Sequence, residues 1–111
     1  MKIAVTYDIF KKTIFQHFGE TNNFLIYDLA NDSNEIVDNG GNSHRDLVPY
    51  LKSLGVDVLI AGGMGHHAII LLNEANIEVY PGITGDAMDA INLYKEGKLV
   101  ANMNAIHKCS H

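Results

Sequence analysis

The side chains in this 111-residue chain most suited to metal chemistry are six histidines, His17, His44, His66, His67, His107 and His111, and one cysteine, Cys109. One thiol is too little sulfur for an ordinary iron–sulfur site, which takes four cysteines. A tetrahedral zinc site built from His107, Cys109, His111 and one more histidine satisfies the ligand chemistry, but a domain this apolar does not need it to fold. A preassembled cluster that brings its own sulfides needs only a few protein ligands. Sparse imidazole and thiolate at the mouth of a cleft suit loose, reversible holding of such a species. His107, Cys109 and His111 alternate, so an extended tail presents all three on one side. A frayed chain end is the competing reading.

Other chemistries lack their parts. No nucleophile–base pair suggests itself, because Cys109 lies in the tail and no serine sits on a sharp strand-to-helix turn. A two-metal nuclease needs clustered carboxylates; Asp8 is well placed, but the apolar run at 57–61 ends in Ile60 and Ala61 with no acid. The expectation is a protein that is not an enzyme.

Composition narrows the class further. Hydrophobic residues make up 47% and charged residues 19%, enough for one packed core and too apolar for disorder. A single domain over 1–111 is expected. The formal charge of -5 excludes a phosphate-gripping nucleic-acid surface. Basic residues are scattered, with only Lys11 and Lys12 adjacent. No apolar run approaches the roughly 20 residues of a membrane span. The opening strand-like run is too short for a signal-peptide core. A lone cysteine forms no intrachain disulfide and suits a reducing cytoplasm.

The elements that must position these residues alternate between strand and helix. Residues 2–7, with β-branched Ile3, Val5 and Thr6, read as a first strand, followed by a loop or irregular hairpin over 8–23. Residues 24–29 and 35–38 form two further strands around the polar turn 31–34, paired antiparallel. Starting a helix near Asp46 keeps Pro49 in its first turn and leaves His44 and Arg45 in the preceding loop. Leu47, Val48, Leu51 and Leu54 then form its buried stripe before Gly55. Residues 57–61 are apolar on both faces apart from Asp57, as a covered parallel strand should be. The turn Gly62-Gly63-Met64-Gly65 leads into a helix ending at Ala75, with Asn76 as a left-handed cap. Residues 77–80 are the fifth strand. Thr84 caps a last helix to Glu96, with Ala87, Met88, Ile91 and Tyr94 inward. Residues 98–111 begin as a short strand and end as a polar tail.

This order implies a five-stranded mixed sheet between helical layers, the second strand antiparallel to the rest. The expected core includes Ile3, Val5, Ile26, Leu51, Val58, Leu59, Ile60, Ile69, Leu72, Val79 and Ile91. In such sheets ligands bind beyond the carboxyl ends of the parallel strands, where strand order reverses. Topology sends His17, His44, His66 and His67 to that edge. Of His66 and His67, one is expected to face the cleft and one solvent. The amides of Gly63, Met64 and Gly65 at the helix start favour a negatively charged ligand.

Several segments carry a family resemblance in order along nearly the whole chain. They are His17-Phe18-Gly19 before Phe24-Leu25-Ile26-Tyr27-Asp28, the run from Gly55-Val56-Asp57 through Gly62-Gly63-Met64-Gly65, Ile77-Glu78-Val79-Tyr80 before Gly82, and Gly97-Lys98-Leu99. Together they resemble the dinitrogenase iron–molybdenum cofactor biosynthesis domain. The resemblance implies a three-layer α/β/α, ribonuclease H-like fold. It also implies binding and carriage of an iron–sulfur or iron–molybdenum-type cluster during nitrogenase cofactor biosynthesis, with cofactor-assembly or client metalloproteins as partners. His44 stands where the family often shows a histidine-rich loop, and Cys109 with His111 resembles a Cys-x-His ending. Asn76 replaces a usual glycine.

The alternative is a small nucleotide- or partner-binding regulatory domain without a cluster. Gly63-Met64-Gly65-His66-His67-Ala68 satisfies G-x-G-x-x-A. It follows the fourth strand rather than the first, and no acid ends the next strand to bind a ribose.

Overall fold

The computed structural model describes residues 1–41, 44–101, 106 and 107. Strand β1 (Lys2–Asp8) turns back into the short β2 (Thr13–Ile14), and a 3-10 turn (Phe18–Glu20) leads to β3 (Asn23–Asp28) and β4 (Ser33–Asp38). Then come α1 (His44–Ser53), β5 (Val58–Ile60), β6 (Met64–Gly65), α2 (His66–Glu74), β7 (Glu78–Tyr80), α3 (Ala87–Lys95) and β8 (Ile106–His107). The main sheet runs β4-β3-β1-β5-β7, with β2 added to the end of β1. β1, β5 and β7 are parallel, while β3 is antiparallel to both β1 and β4. The hairpin between β3 and β4 is closed locally: the Asp28 carboxylate accepts from the Ala30 amide and the Asn31 side chain, and Asp32 takes a left-handed φ of 50°.

Strand alternation divides the core into two layers. Ala4, Phe24, Ile26 and Leu59 face one side, where Leu47, Val48 and Leu51 of α1 and Leu72 of α2 cover them. Ile3, Val5, Leu25, Tyr27, Val58 and Ile60 face the other, under Ala87, Ala90 and Ile91 of α3. All three residues of β5 are buried, as its unbroken apolar run requires. Of the expected core, Ile69 and Val79 are only partly buried and pack against the cluster's margin. Among the described residues no helix is long and apolar enough to cross a membrane.

Two helix starts differ from the sequence expectation. α1 begins at His44, so Pro49 lies inside the helix and not in its first turn. The missing proline N–H costs one backbone hydrogen bond, which the burial of Leu47, Val48 and Leu51 offsets. α3 begins after Asp86, whose carboxylate accepts from the Asp89 amide at 3.0 Å, so Asp86 rather than Thr84 is the cap. Along α3 it is Ala90 that faces inward, while Met88, expected inward, is exposed.

Leu29, Tyr80, Tyr94, Lys95, Gly97 and Leu99 line an open cleft of about 320 Å³. Tyr80 meets Tyr94 edge-on at 5.6 Å, and its hydroxyl donates to Glu78 at 2.9 Å. Burial, then this hydrogen bond and the negative charge of Glu78, push the Tyr80 phenol up to about 12. The fold thereby favours the neutral phenol. The stability it contributes is full below the ordinary value of 10 and is lost as pH rises through about 12.

Two outcomes follow. Leu59→Ala should destabilise by roughly 2–5 kcal/mol in denaturant melts, as expected for a buried leucine in a central strand. In an alkaline absorbance titration, Glu78→Gln should bring the highest tyrosine midpoint down toward the ordinary range; an unchanged profile would contradict this origin for the shift.

Candidate functional site at the carboxyl edge of the sheet

β1 pairs with β5 only over Ile3, Ala4 and Val5, in register with Val58, Leu59 and Ile60. Farther along, Tyr7 pairs with Asn23 of β3 on one side and Ile14 of β2 on the other. The return arm of the hairpin therefore occupies the β5 side of β1, at the crevice where strand order reverses. Buried Thr6 fastens it there. The Phe15 amide donates to the Thr6 carbonyl at 2.9 Å, and the Thr6 hydroxyl donates to the Phe15 carbonyl at 2.8 Å. The chain then runs beside the turn that leaves β5. Gly63 N–H donates to the Gln16 carbonyl at 2.6 Å, Phe18 N–H donates to the Gly63 carbonyl at 3.1 Å, and His17 is bridged in parallel to Gly63.

This seam depends on Gly62. A Cβ there would stand 2.5 Å from the Gln16 Cα, a backbone atom with nowhere to go. Gln16 also reaches across, its side-chain amide donating to the carbonyls of Ile14 at 3.0 Å and Ile83 at 3.4 Å. Gly82 N–H donates to the Gly62 carbonyl at 2.9 Å, tying the turn after β7 to the same point.

The candidate residues are arranged around the seam. His17 is exposed, its ring edge-on to Phe15 at 6.4 Å. His66 and His67 open α2, and both are exposed, rather than one facing a cleft. The terminal strand β8 pairs in parallel with β6, placing Ile106 opposite Met64 and His107 opposite Gly65. The backbones of His17, Gly63, Gly65 and His107 thus lie in one continuous stretch of paired chain. His44 opens α1 instead of lying in the loop, but at the same edge, since β4 ends at Asp38 beside Asn23. Cys109 and His111 lie outside the described residues.

Polar groups in this stretch are partly committed. The Gly63 amide is engaged by Gln16 and is not free for a ligand. Met64 is buried, so its thioether belongs to the core and only its backbone reaches the edge. Gly65 is the backbone N-cap of α2, with no side-chain cap, so the positive helix end beside His66 favours an anion. Asp8 is spent on structure, its carboxylate accepting from the amides of Phe10 and Lys11 at 2.9 and 3.1 Å. Among the described residues no three His, Cys, Asp or Glu side chains converge on a metal-sized point.

Thr6, Gln16 and Gly62 build the site without being legible as site residues. Thr6 carried the one readable signal: a hydroxyl within a fully buried strand requires a partner.

A mixed sheet with β3 reversed between β1 and β4, α1 and α2 on one face and α3 on the other, is the ribonuclease H-like α/β/α arrangement. The chain belongs to the dinitrogenase iron-molybdenum cofactor family, whose pattern matches residues 1–97. It is 28% identical over 107 residues to an uncharacterized protein of Methanocaldococcus jannaschii, covering 89% of each chain. The crystal structure of PH0822 superposes with a TM-score of 0.84 at 28% identity, covering 95% of this chain and 97% of the other. The apo form of the orange protein from Desulfovibrio gigas gives 0.80 at 25% identity, with 92% of each chain covered. The family match stops short of β8 and the final histidines.

Gly62→Ala should destabilise by about 1–3 kcal/mol, the usual range for forced overpacking. His17→Ala should stay within about 0.5 kcal/mol, as an exposed side chain should. Urea melts showing the reverse order would mean that His17, not the seam, holds the edge together.

Proposed function

We propose that this protein binds and carries a preassembled iron–sulfur or molybdenum-containing cluster during metallocofactor assembly. It passes its cargo to cofactor-assembly or client metalloproteins in the cytoplasm and catalyses no reaction of its own. Membership of the dinitrogenase iron-molybdenum cofactor family supports the cargo class. The observation that carries the reading is the pairing of β8 with β6, which brings the backbone of His107 beside Gly65, next to the seam that holds His17. Three separate segments thereby bring histidines to the carboxyl edge of one sheet.

The chemistry is that of reversible holding. Exposed imidazoles of His17, His66 and His67 offer neutral nitrogen donors, the N-terminus of α2 offers positive potential, and His44, His107, Cys109 and His111 are the remaining donors proposed. The cluster supplies its own sulfides. Among the described residues the tail pairs through Ile106 and His107, a short ladder suited to opening for loading and transfer. Imidazole donors must be unprotonated to hold a metal, so holding should weaken on acidification.

The test is anaerobic reconstitution with iron, sulfide and molybdate, followed by metal analysis and absorption spectroscopy. Wild type should retain metal and sulfide through gel filtration. A chain ending at Met103, which lacks β8, should stay folded and retain less, and His44→Ala should likewise reduce retention without unfolding. Equal occupancy in all three would overturn the carrier reading.

A further inference from the structure

We propose that the tip of the β1–β2 hairpin, residues 9–12, is a docking knob that enters an apolar pocket rimmed by carboxylates on a client protein. The tip is built to hold one shape. The Asp8 carboxylate accepts from the amides of Phe10 and Lys11, and Lys12 N–H donates to the Asp8 carbonyl at 2.8 Å. Lys12 closes the turn with a left-handed φ of 60°, a conformation that glycine or asparagine adopts at lower cost.

Among the described residues, no hydrogen bond or ion pair engages the Lys11 or Lys12 side chain, and Phe10 stands almost clear of the protein. Phe10 is 91% exposed and Ile9 beside it 42% exposed; Ile36, Ile70, Met88 and Leu93 lie along a strand or a helix, and Met1 and Val100 have no basic pair beside them. Lys11 and Lys12 are the chain's one adjacent basic pair, and among the described residues neither forms an ion pair. On a chain of net charge -5, an apolar point flanked by two free cations selects an acidic surface with an apolar centre. Isolated exposed apolar residues need no explanation; a phenylalanine held almost fully exposed on a fixed turn beside paired lysines does. A lipid surface fits less well, since one phenylalanine and two lysines are a small anchor for a protein that anionic headgroups otherwise repel.

The position matters as much as the chemistry. The knob leaves the sheet at its carboxyl edge, and the arm returning from it leads into Gln16 and His17. A client engaged by the knob would lie beside the proposed cargo. The client's identity as a cargo acceptor rests on the carrier reading, but the knob can be tested without any cluster.

The probe is a sulfonated calixarene, an apolar bowl ringed by anionic groups, titrated into the isotope-labelled full chain and followed by NMR. Amide shifts should appear first at residues 9–12. Phe10→Ser and the double change Lys11→Glu with Lys12→Glu should each weaken binding about tenfold while melting temperatures hold. Equal occupation of Lys52, Lys95 and Lys98, or undiminished binding by Phe10→Ser, would overturn the proposal. So would Phe10-dependent capture by phosphatidylglycerol vesicles, which assigns the tip to membranes, or a Phe10-dependent dimer, which assigns it to a second copy. Cluster occupancy of both variants should equal that of wild type; a fall would make the tip part of the cargo site. Loss of cluster binding in wild type with the knob's selectivity intact would sink the carrier reading alone.

Discussion

Gly62 leaves the central strand β5 at a point where the backbone of Gln16 passes too close for any side chain, 2.5 Å from where a Cβ would lie. The contact is covalently remote and made by main chain on both sides. It binds the hairpin arm after β1 to the turn after β5, and Thr6, Gln16 and Gly82 each add hydrogen bonds around it. An open α/β sheet ordinarily leaves a crevice where its strand order reverses. Here the protein fills that crevice with its own chain, and the surface above it becomes the place where chemistry is available. His17, His66 and His67 are consequently displayed around it instead of being sunk in a pocket.

That arrangement suits a large, weakly held guest better than a small molecule. The open cleft beside Tyr80 and Tyr94 has no histidine in its lining, and its polar groups are engaged with one another: Tyr80 and Tyr94 with Glu78, Lys95 with Tyr27 and Asp32. At the carboxyl edge, by contrast, His17, His66 and His67 are exposed, and β8 pairs with β6 beside them. The family pattern ends at residue 97, so β8, which pairs with β6, lies outside it.

Much of this was readable from residues alone. The alternation of Ile3, Val5 and Tyr7 against Ala4 and Thr6, and the unbroken Val58-Leu59-Ile60, specify which strands are covered on both faces; strand order and the left-handed Asn76 follow from connection lengths and cap chemistry. Helix starts were less legible. Pro49 argued for a late start to α1, but burial of three apolar residues outweighs one lost hydrogen bond. Asp86 and Thr84 are both good caps by residue type, and the structure uses Asp86, whose carboxylate accepts from the Asp89 amide. The seam itself was invisible, because it joins Gln16 to Gly62 through backbone atoms that carry no residue-specific signal. The same reason hid the commitment of the Gly63 amide, which from its motif looks free for a phosphate or a cluster.

The central claim, that histidines from separate segments hold one cargo, is tested most directly by histidine-selective nitrogen NMR of the full chain during anaerobic addition of iron, sulfide and molybdate. If His17, His107 and one of His66 or His67 share a guest, their ring resonances will change together, with one midpoint and in proportion to bound metal. Bound metal with the His17 ring unmoved, or rings responding at separate midpoints, would contradict a common site at the sheet's carboxyl edge.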